Sequence, residues 1–411
     1  MNPIEITLGI MTAIGGFVDI AQIVFSAQAG AAFGFALISA FAIATFGLIV
    51  FGEMSGRVAA VAHQPVFNLI RHRLGLKLGL FTLIVTLISS IITCAAEIGG
   101  MGLILQNLTG APYLAMCMAS SIVALVSIWV LPFKWIERSY GLLGLIMLVF
   151  AAALVAVHPP WTRIAAGFIP QIPHGLSTQK LLIFCYFIVA IFSAVMLPYQ
   201  TYFYSSGGIE EKWSPKDLLT NRVTIIVGTA IATFVSIAII ALGAIQFAPA
   251  NVSPEIPGSV ALQVSIPFGR TGLLLALLGM LIAVAGTAVE VGMSNAYSIA
   301  QFFGWEWGRH KKPWEAPRFT IAWIVLFLVS LAIVLTGIDA MTLVNYAIVL
   351  SVVILPLTYL PVMLLAGDKS YMGKYANKWL AKILGWLFFA VSTIAAVAAI
   401  PLYLLTSGGQ G

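Results

Sequence analysis

Eleven long apolar runs, separated by short polar tracts, make up nearly the whole chain. They lie at about 7–28, 32–56, 76–104, 114–132, 138–157, 180–206, 220–247, 271–302, 317–336, 341–366 and 378–405. Each is near or above the ~20 residues an α-helix needs to cross the hydrocarbon core of a bilayer. Backbone N–H and C=O groups cannot go unpaired in lipid, so runs of this length must be helical. The two-residue alternation of transmembrane barrel strands is absent. The pattern predicts an all-α integral membrane protein, a single transmembrane domain over residues 1–411 with no appended soluble domain. The longest outer connections, 158–179 and 248–270, are rich in proline.

Composition closes off the soluble alternatives. Of 411 residues, 61% are hydrophobic and only 8% are charged, against about 25% charged in an ordinary globular domain. The net charge of +6 does not signal nucleic acid, because the basic residues sit in tracts between apolar runs rather than on one stacking-competent face. With the N-terminus inside, 17 of the 20 lysines and arginines fall on inner connections, leaving Arg163, Lys180 and Arg270 outside. This follows the positive-inside bias, makes the N-terminus cytoplasmic and puts the C-terminus outside. Cys94, Cys117 and Cys185 lie within apolar runs with no zinc or disulfide spacing. The five histidines all lie in connections. The N-terminus lacks the basic region of a cleaved signal peptide. No phosphate loop, His-Glu-x-x-His or nucleophile elbow is present, which argues against a pump or a hydrolase.

Four carboxylates fall inside apolar spans: Asp19, Glu53, Glu97 and Glu290. An acid at membrane depth costs roughly 2.5–3.5 kcal/mol on insertion scales and commonly faces a cavity or an ion path. Glu53 lies one turn before Arg57, so an i,i+4 ion pair accounts for it as well as a cavity role does. Asp19, in Gly15-Gly16-Phe17-Val18-Asp19-Ile20-Ala21-Gln22, has no basic residue in its span. Glu97, in Cys94-Ala95-Ala96-Glu97-Ile98-Gly99-Gly100, has no local partner, and the polar surroundings of Glu290, in Gly286-Thr287-Ala288-Val289-Glu290-Val291-Gly292, suggest a wet cavity.

Two spans carry breaks. The first is expected near Asp19 to Gln22, around Ala21, and the sixth near Leu197 to Gln200, at Pro198. Proline inside a helix removes one backbone bond and clashes with the preceding turn. These spans open two successive five-helix units, about 7–157 and 180–366, with an extra helix at about 378–405. An odd number of spans inverts the second unit. Corresponding broken helices in inverted halves point to the central site of a transporter. Freed carbonyls, the Asp19 carboxylate and the amides of Gln22 and Gln200 form an oxygen-rich set suited to a hard cation. The same helix ends could hold the carboxylate of an organic solute.

At these residues the chain resembles the Nramp family of proton-coupled divalent-metal transporters, over all eleven spans. The family's first-helix Asp-Pro-Gly-Asn reads here Asp19-Ile20-Ala21-Gln22. Its sixth-helix Met-Pro-His lies in Ala194-Val195-Met196-Leu197-Pro198-Tyr199, and its third-helix Asp-Leu-Ala-Glu becomes Cys94-Ala95-Ala96-Glu97. The resemblance implies a LeuT-type fold of two inverted five-helix repeats plus an eleventh helix, with helices 1 and 6 interrupted. It implies metal ligands at Asp19, Gln22 and the Ala194 carbonyl. Leu197 stands at the methionine ligand's position, and Met196 is one residue away, turned about 100° on a helix. Tyr199 replaces the histidine, while Glu97 is kept as a candidate proton acceptor beside Glu290. The missing methionine is shared with the family's magnesium-transporting relatives. Without a thioether the preference for softer metals weakens.

The expectation is therefore a secondary-active, alternating-access carrier of a magnesium- or manganese-like divalent cation, with the proton coupling that the resemblance implies. It would have no bound cofactor and no nucleic-acid partner, and would sit as a monomer in a bacterial inner membrane. The alternative is a sodium- or proton-coupled carrier of a small organic solute on the same scaffold.

Overall fold

The computed structural model describes residues 18–130, 140–308 and 311–409. The pair Gly15-Gly16, the first half of span 7–28, and the residues 131–139 around the junction of spans four and five fall outside them. Helices are α1 (Ile20–Phe33), α2 (Ile38–Ala62), α3 (Val66–Leu74), α4 (Leu76–Thr109), α5 (Tyr113–Val130) and α6 (Tyr140–Ala156). They continue with α7 (Thr178–Val195), α8 (Pro198–Glu210), α9 (Leu218–Leu242), α10 (Pro257–Phe303), α11 (Pro317–Leu335), α12 (Ala340–Gly367) and α13 (Trp379–Thr406). Among the described residues no strand is formed.

Within the described residues the apolar runs are helices as expected, but some boundaries moved. Residues 29–31 were expected to connect the first two spans, yet α1 continues to Phe33 and α2 starts only at Ile38. The turn falls where Gly34 adopts φ +62°, a left-handed conformation that glycine enters without a Cβ penalty. The sixth span is two helices, α7 and α8, parted by Met196 and Leu197. The eighth span starts near the expected residue 271. An added helical segment from Pro257 precedes it and meets it at a kink where Gly269 has φ 59°.

One apolar core joins α1, α2, α4, α7, α9, α10 and α12. Helix α1 is buried along most of its length, and its small residues set the approach of its neighbours. A Cβ on Gly30 would lie 2.0 Å from the Ile240 carbonyl oxygen of α9. One on Gly243, in the π-helical turn that follows α9, would lie 2.6 Å from the Ala27 carbonyl oxygen. Two backbones in contact at small residues are a common way for membrane helices to gain packing energy. At the periphery only 17% of the apolar window of α5 and 28% of that of α13 is buried, so these helices turn wide apolar faces outward.

Candidate substrate site between two helix breaks

Asp19 is the residue on which α1 begins. Its backbone is extended (φ −73°, ψ 170°) and its carboxylate accepts from the Gln22 N–H at 2.5 Å. An acid is a favoured N-cap because it satisfies one of the orphan N–H groups of the first turn. Helix α1 therefore starts just after Asp19, and Ala21, expected at the break, lies inside its first turn. Glu97 of α4 reaches the same helix end. Both of its carboxylate oxygens lie 3.4 Å from the Ile20 N–H. Two acids thus share the N-terminus of α1, where the helix dipole presents about half a positive charge. Asp19 is 4% exposed and Glu97 1%.

Gln22 lies one turn into α1. Its side-chain nitrogen donates to the Ser236 hydroxyl of α9 at 2.7 Å. That bond uses the nitrogen and leaves the amide oxygen as the atom with lone pairs to offer a cation.

The second break is built around Pro198, the first residue of α8. A proline there suits a helix start, since its missing N–H is one of the orphans anyway. The same proline deprives the end of α7. The helical donor for the Ala194 carbonyl would be the N–H of residue 198, which proline lacks. The Met196 carbonyl is instead capped by the Tyr359 hydroxyl of α12 at 2.9 Å. Ser193 donates to the Ile348 carbonyl at 2.6 Å, and Ser294 of α10 donates to the Tyr199 carbonyl at 2.9 Å. The break is held on both sides by hydroxyls from other helices.

Leu197 is the extended residue that caps α8 and brings no heteroatom. The Met196 sulfur packs where a Cβ on Gly47 of α2 would lie, 3.0 Å away, beside the ring of Phe388. Tyr199 lies within electrostatic range of Glu290, Asp19 and Glu97, so the structure gathers these four. Gln200 and Glu290 line one small cavity together with Thr201. Among the described residues the buried Gln200 amide oxygen and Thr201 hydroxyl have no hydrogen bond of ordinary geometry.

Glu53 is placed elsewhere. It pairs with Arg57 at 3.0 Å and Arg222 at 3.5 Å. Arg57 also donates to the Tyr375 carbonyl at 2.6 Å and to Asn377 at 2.7 Å. This cluster ties α2 and α9 to the segment before α13. Removing one partner of a buried pair costs about 3–5 kcal/mol. Arg57→Gln is expected to lower the melting temperature of the detergent-purified protein clearly, whereas an unchanged melting curve would mean the cluster does not brace the fold.

Sequence reading missed Ser236, Tyr359 and Ser294. The only available signal was a hydroxyl inside an apolar span, a feature shared by many residues that merely bond their own helix, such as Thr229 to the Ile225 carbonyl. Among the described residues no group of three His, Cys, Asp or Glu side chains could hold a metal. The Asp19 and Glu97 carboxylates and the neighbouring amide and backbone oxygens are the donors this region offers a cation.

A helical bundle with one helix starting at a buried Asp19 and the sixth span broken before Pro198 has the LeuT-type fold of solved transporters. MhsT in complex with L-phenylalanine superposes at a TM-score of 0.62, with 15% identity and 98% of both chains covered. The manganese transporter of Eremococcus coleocola superposes at 0.77, with 18% identity over 99% of this chain and 87% of its own. The divalent metal cation transporter MntH of Latilactobacillus sakei is 24% identical over 94% of this chain and 86% of its own length. The model of the natural resistance-associated macrophage protein-like family matches residues 9–401. The chain belongs to the Nramp family, whose members are transporters and not enzymes.

Proposed function

We propose that the chain carries a divalent metal cation, magnesium- or manganese-like, across the membrane by alternating access around the two breaks. The observation that carries this reading is the donor set. A buried carboxylate, Asp19, stands at the start of α1, and at the sixth-span break Pro198 removes the N–H partner of the Ala194 carbonyl. Hard cations take oxygen ligands of these kinds. Gln22 adds an amide oxygen, and Gln200 a buried one with no hydrogen bond of ordinary geometry among the described residues. Glu97, on the N-terminus of α1, is the group we assign to proton coupling. A proton or a metal arriving beside it changes the charge at that helix end, which gives the two events a shared element. Glu290 and Tyr199 extend this polar region toward the Gln200 cavity.

We also read residues 7–157 and 180–366 as the inverted repeats, with α13 as an addition. The basic connections then lie in the cytoplasm of a bacterial cell, the C-terminus lies outside, and the protein works as a monomer.

The test is uptake into proteoliposomes of manganese, magnesium and calcium, each with and without a pH gradient. Saturable uptake of at least one ion supports the reading. Folded, monodisperse protein that moves none of them overturns it in favour of a small organic solute. Restoring a thioether should change the ranking. Leu197→Met is expected to raise manganese uptake relative to magnesium, because sulfur favours softer ions. An unaltered ion ranking would remove residue 197 from the ligand shell.

A further inference from the structure

A second cavity lies at the lysine-rich end of the bundle, between α12 and α13 and away from both helix breaks. Its volume is about 600 Å³. Its apolar lining is formed by Met363, Leu364 and Trp386. Its cationic lining is formed by Arg73, Lys369 and Lys382. A single carboxylate, Asp368, also lines it and is already engaged. It accepts from Arg73 at 2.9 Å, from the Ser370 N–H at 2.9 Å and from the Ser370 hydroxyl at 2.7 Å. These bonds, those of Ser370 foremost, hold the Asp368 carboxyl below the usual carboxylate range. Among the described residues, Lys369 and Lys382 have no ion-pair partner.

The cleft opens toward lipid. Leu364 is 42% exposed, Ile383 55% and Trp386 53%, and they continue the outward apolar face of α13. Trp379, 72% exposed on the same helix, puts a second indole near its start. Tryptophans of this kind mark the level of the headgroups. The cationic and apolar walls thus meet at the depth where a phosphate joins its acyl chains. Basic pockets between transmembrane helices are a recurrent means of holding anionic headgroups.

We infer that this cleft binds one anionic phospholipid, with its phosphate on Lys369 and Lys382 and its chains along Met363, Leu364 and Trp386. A free phosphate would satisfy the lysines but leave the apolar wall without a partner. Asn377 lines the same cleft and accepts from Arg57. A bound headgroup therefore rests against the Glu53–Arg57 cluster and braces α2 toward α13. The inference does not depend on which substrate is transported.

The experiment uses the full chain, delipidated in detergent, with native mass spectrometry and thermal unfolding as readouts. The probes are phosphatidylglycerol, phosphatidylcholine and inorganic phosphate. Phosphatidylglycerol is expected to stay bound and raise the melting temperature, and the other two are not. Each basic residue near an anionic surface contributes about a fivefold factor. Lys369→Gln with Lys382→Gln should therefore weaken phosphatidylglycerol binding about 25-fold. Lys212→Gln with Lys216→Gln, at the same end but outside the cleft, should leave it unchanged. Equal retention of phosphatidylglycerol by both double variants overturns the site. So does equal binding of phosphatidylcholine, or a melting shift that inorganic phosphate reproduces. Should the first double variant fold poorly, the ranking of the three probes on the parent and the single Lys382→Gln decide the matter.

Discussion

Proteoliposomes carrying Asp19→Ala are expected to take up metal at the rate of empty liposomes, a loss of at least about 100-fold. The estimate is conservative, since altering residues that merely support metal ligands already costs 10–100-fold. Asp19 does two things, and the variants can separate them. It caps α1 through the Gln22 N–H, a role worth about 1 kcal/mol, and it supplies a buried negative charge. Asn is as good an N-cap as Asp, so Asp19→Asn should keep the fold and the helix start while losing the charge. Both variants are expected to be inactive, with Asp19→Asn melting close to the parent. If Asp19→Asn transports like the parent, the carboxylate is a cap only, and the metal reading loses its principal ligand.

Gly30→Val is expected to produce the largest loss of stability. A Cβ there would meet the Ile240 carbonyl oxygen at 2.0 Å and its carbon at 2.9 Å, with the Ala244 nitrogen at 3.0 Å. All three are backbone atoms of α9 or the turn beyond it, so no side chain can swing aside. The helices must separate, and Gly243 against the Ala27 carbonyl must open with them. Overpacking usually costs 1–3 kcal/mol, and an immovable neighbour puts this case at about 3 kcal/mol or above. The measurement is melting temperature and monodispersity in detergent. Gly207→Ala is the control, because a Cβ there meets nothing within 4 Å. It sits in α8, where alanine is the better helix former by about 1 kcal/mol. A Gly30→Val protein that melts like Gly207→Ala would show that α1 and α9 are not in backbone contact.

The position of α1 also bears on transport. Asp19 and Gln22 lie at one end of this helix and Gly30 near the other. A separation at Gly30 would tilt the ligands as well as loosen the bundle. For that reason stability and uptake should fall together in Gly30→Val, while Asp19→Asn should lose uptake alone.

Much of the fold could be read from residues in order. A run of twenty apolar residues has one stable form in lipid, because every backbone polar group must be paired within the segment. The break at Pro198 and the special place of Asp19 were legible for related reasons. Proline cannot donate to the turn before it, and an unpaired aspartate in an apolar run demands a special environment. Local chemistry also sufficed to offer the pairing of Glu53 with Arg57, one helical turn away. It could not choose between that pair and a cavity, since the choice depends on Arg222, Tyr375 and Asn377, which are distant in the chain.

Residue order thus settled the membrane class, the helical nature of the described apolar runs and the special places of Asp19 and Pro198, since each depends on a length, a charge or a missing N–H within a few residues. Only the folded chain placed Glu97 on the Ile20 N–H, gave the Gln22 nitrogen to Ser236 and turned the Met196 sulfur against Gly47. It also carried α1 past residues 29–31, because Gly30 fits against α9 and the turn could wait for Gly34. These contacts join residues dozens to hundreds of positions apart. Their selection rests on the shape and hydrogen-bonding needs of surfaces that exist only once the helices have packed.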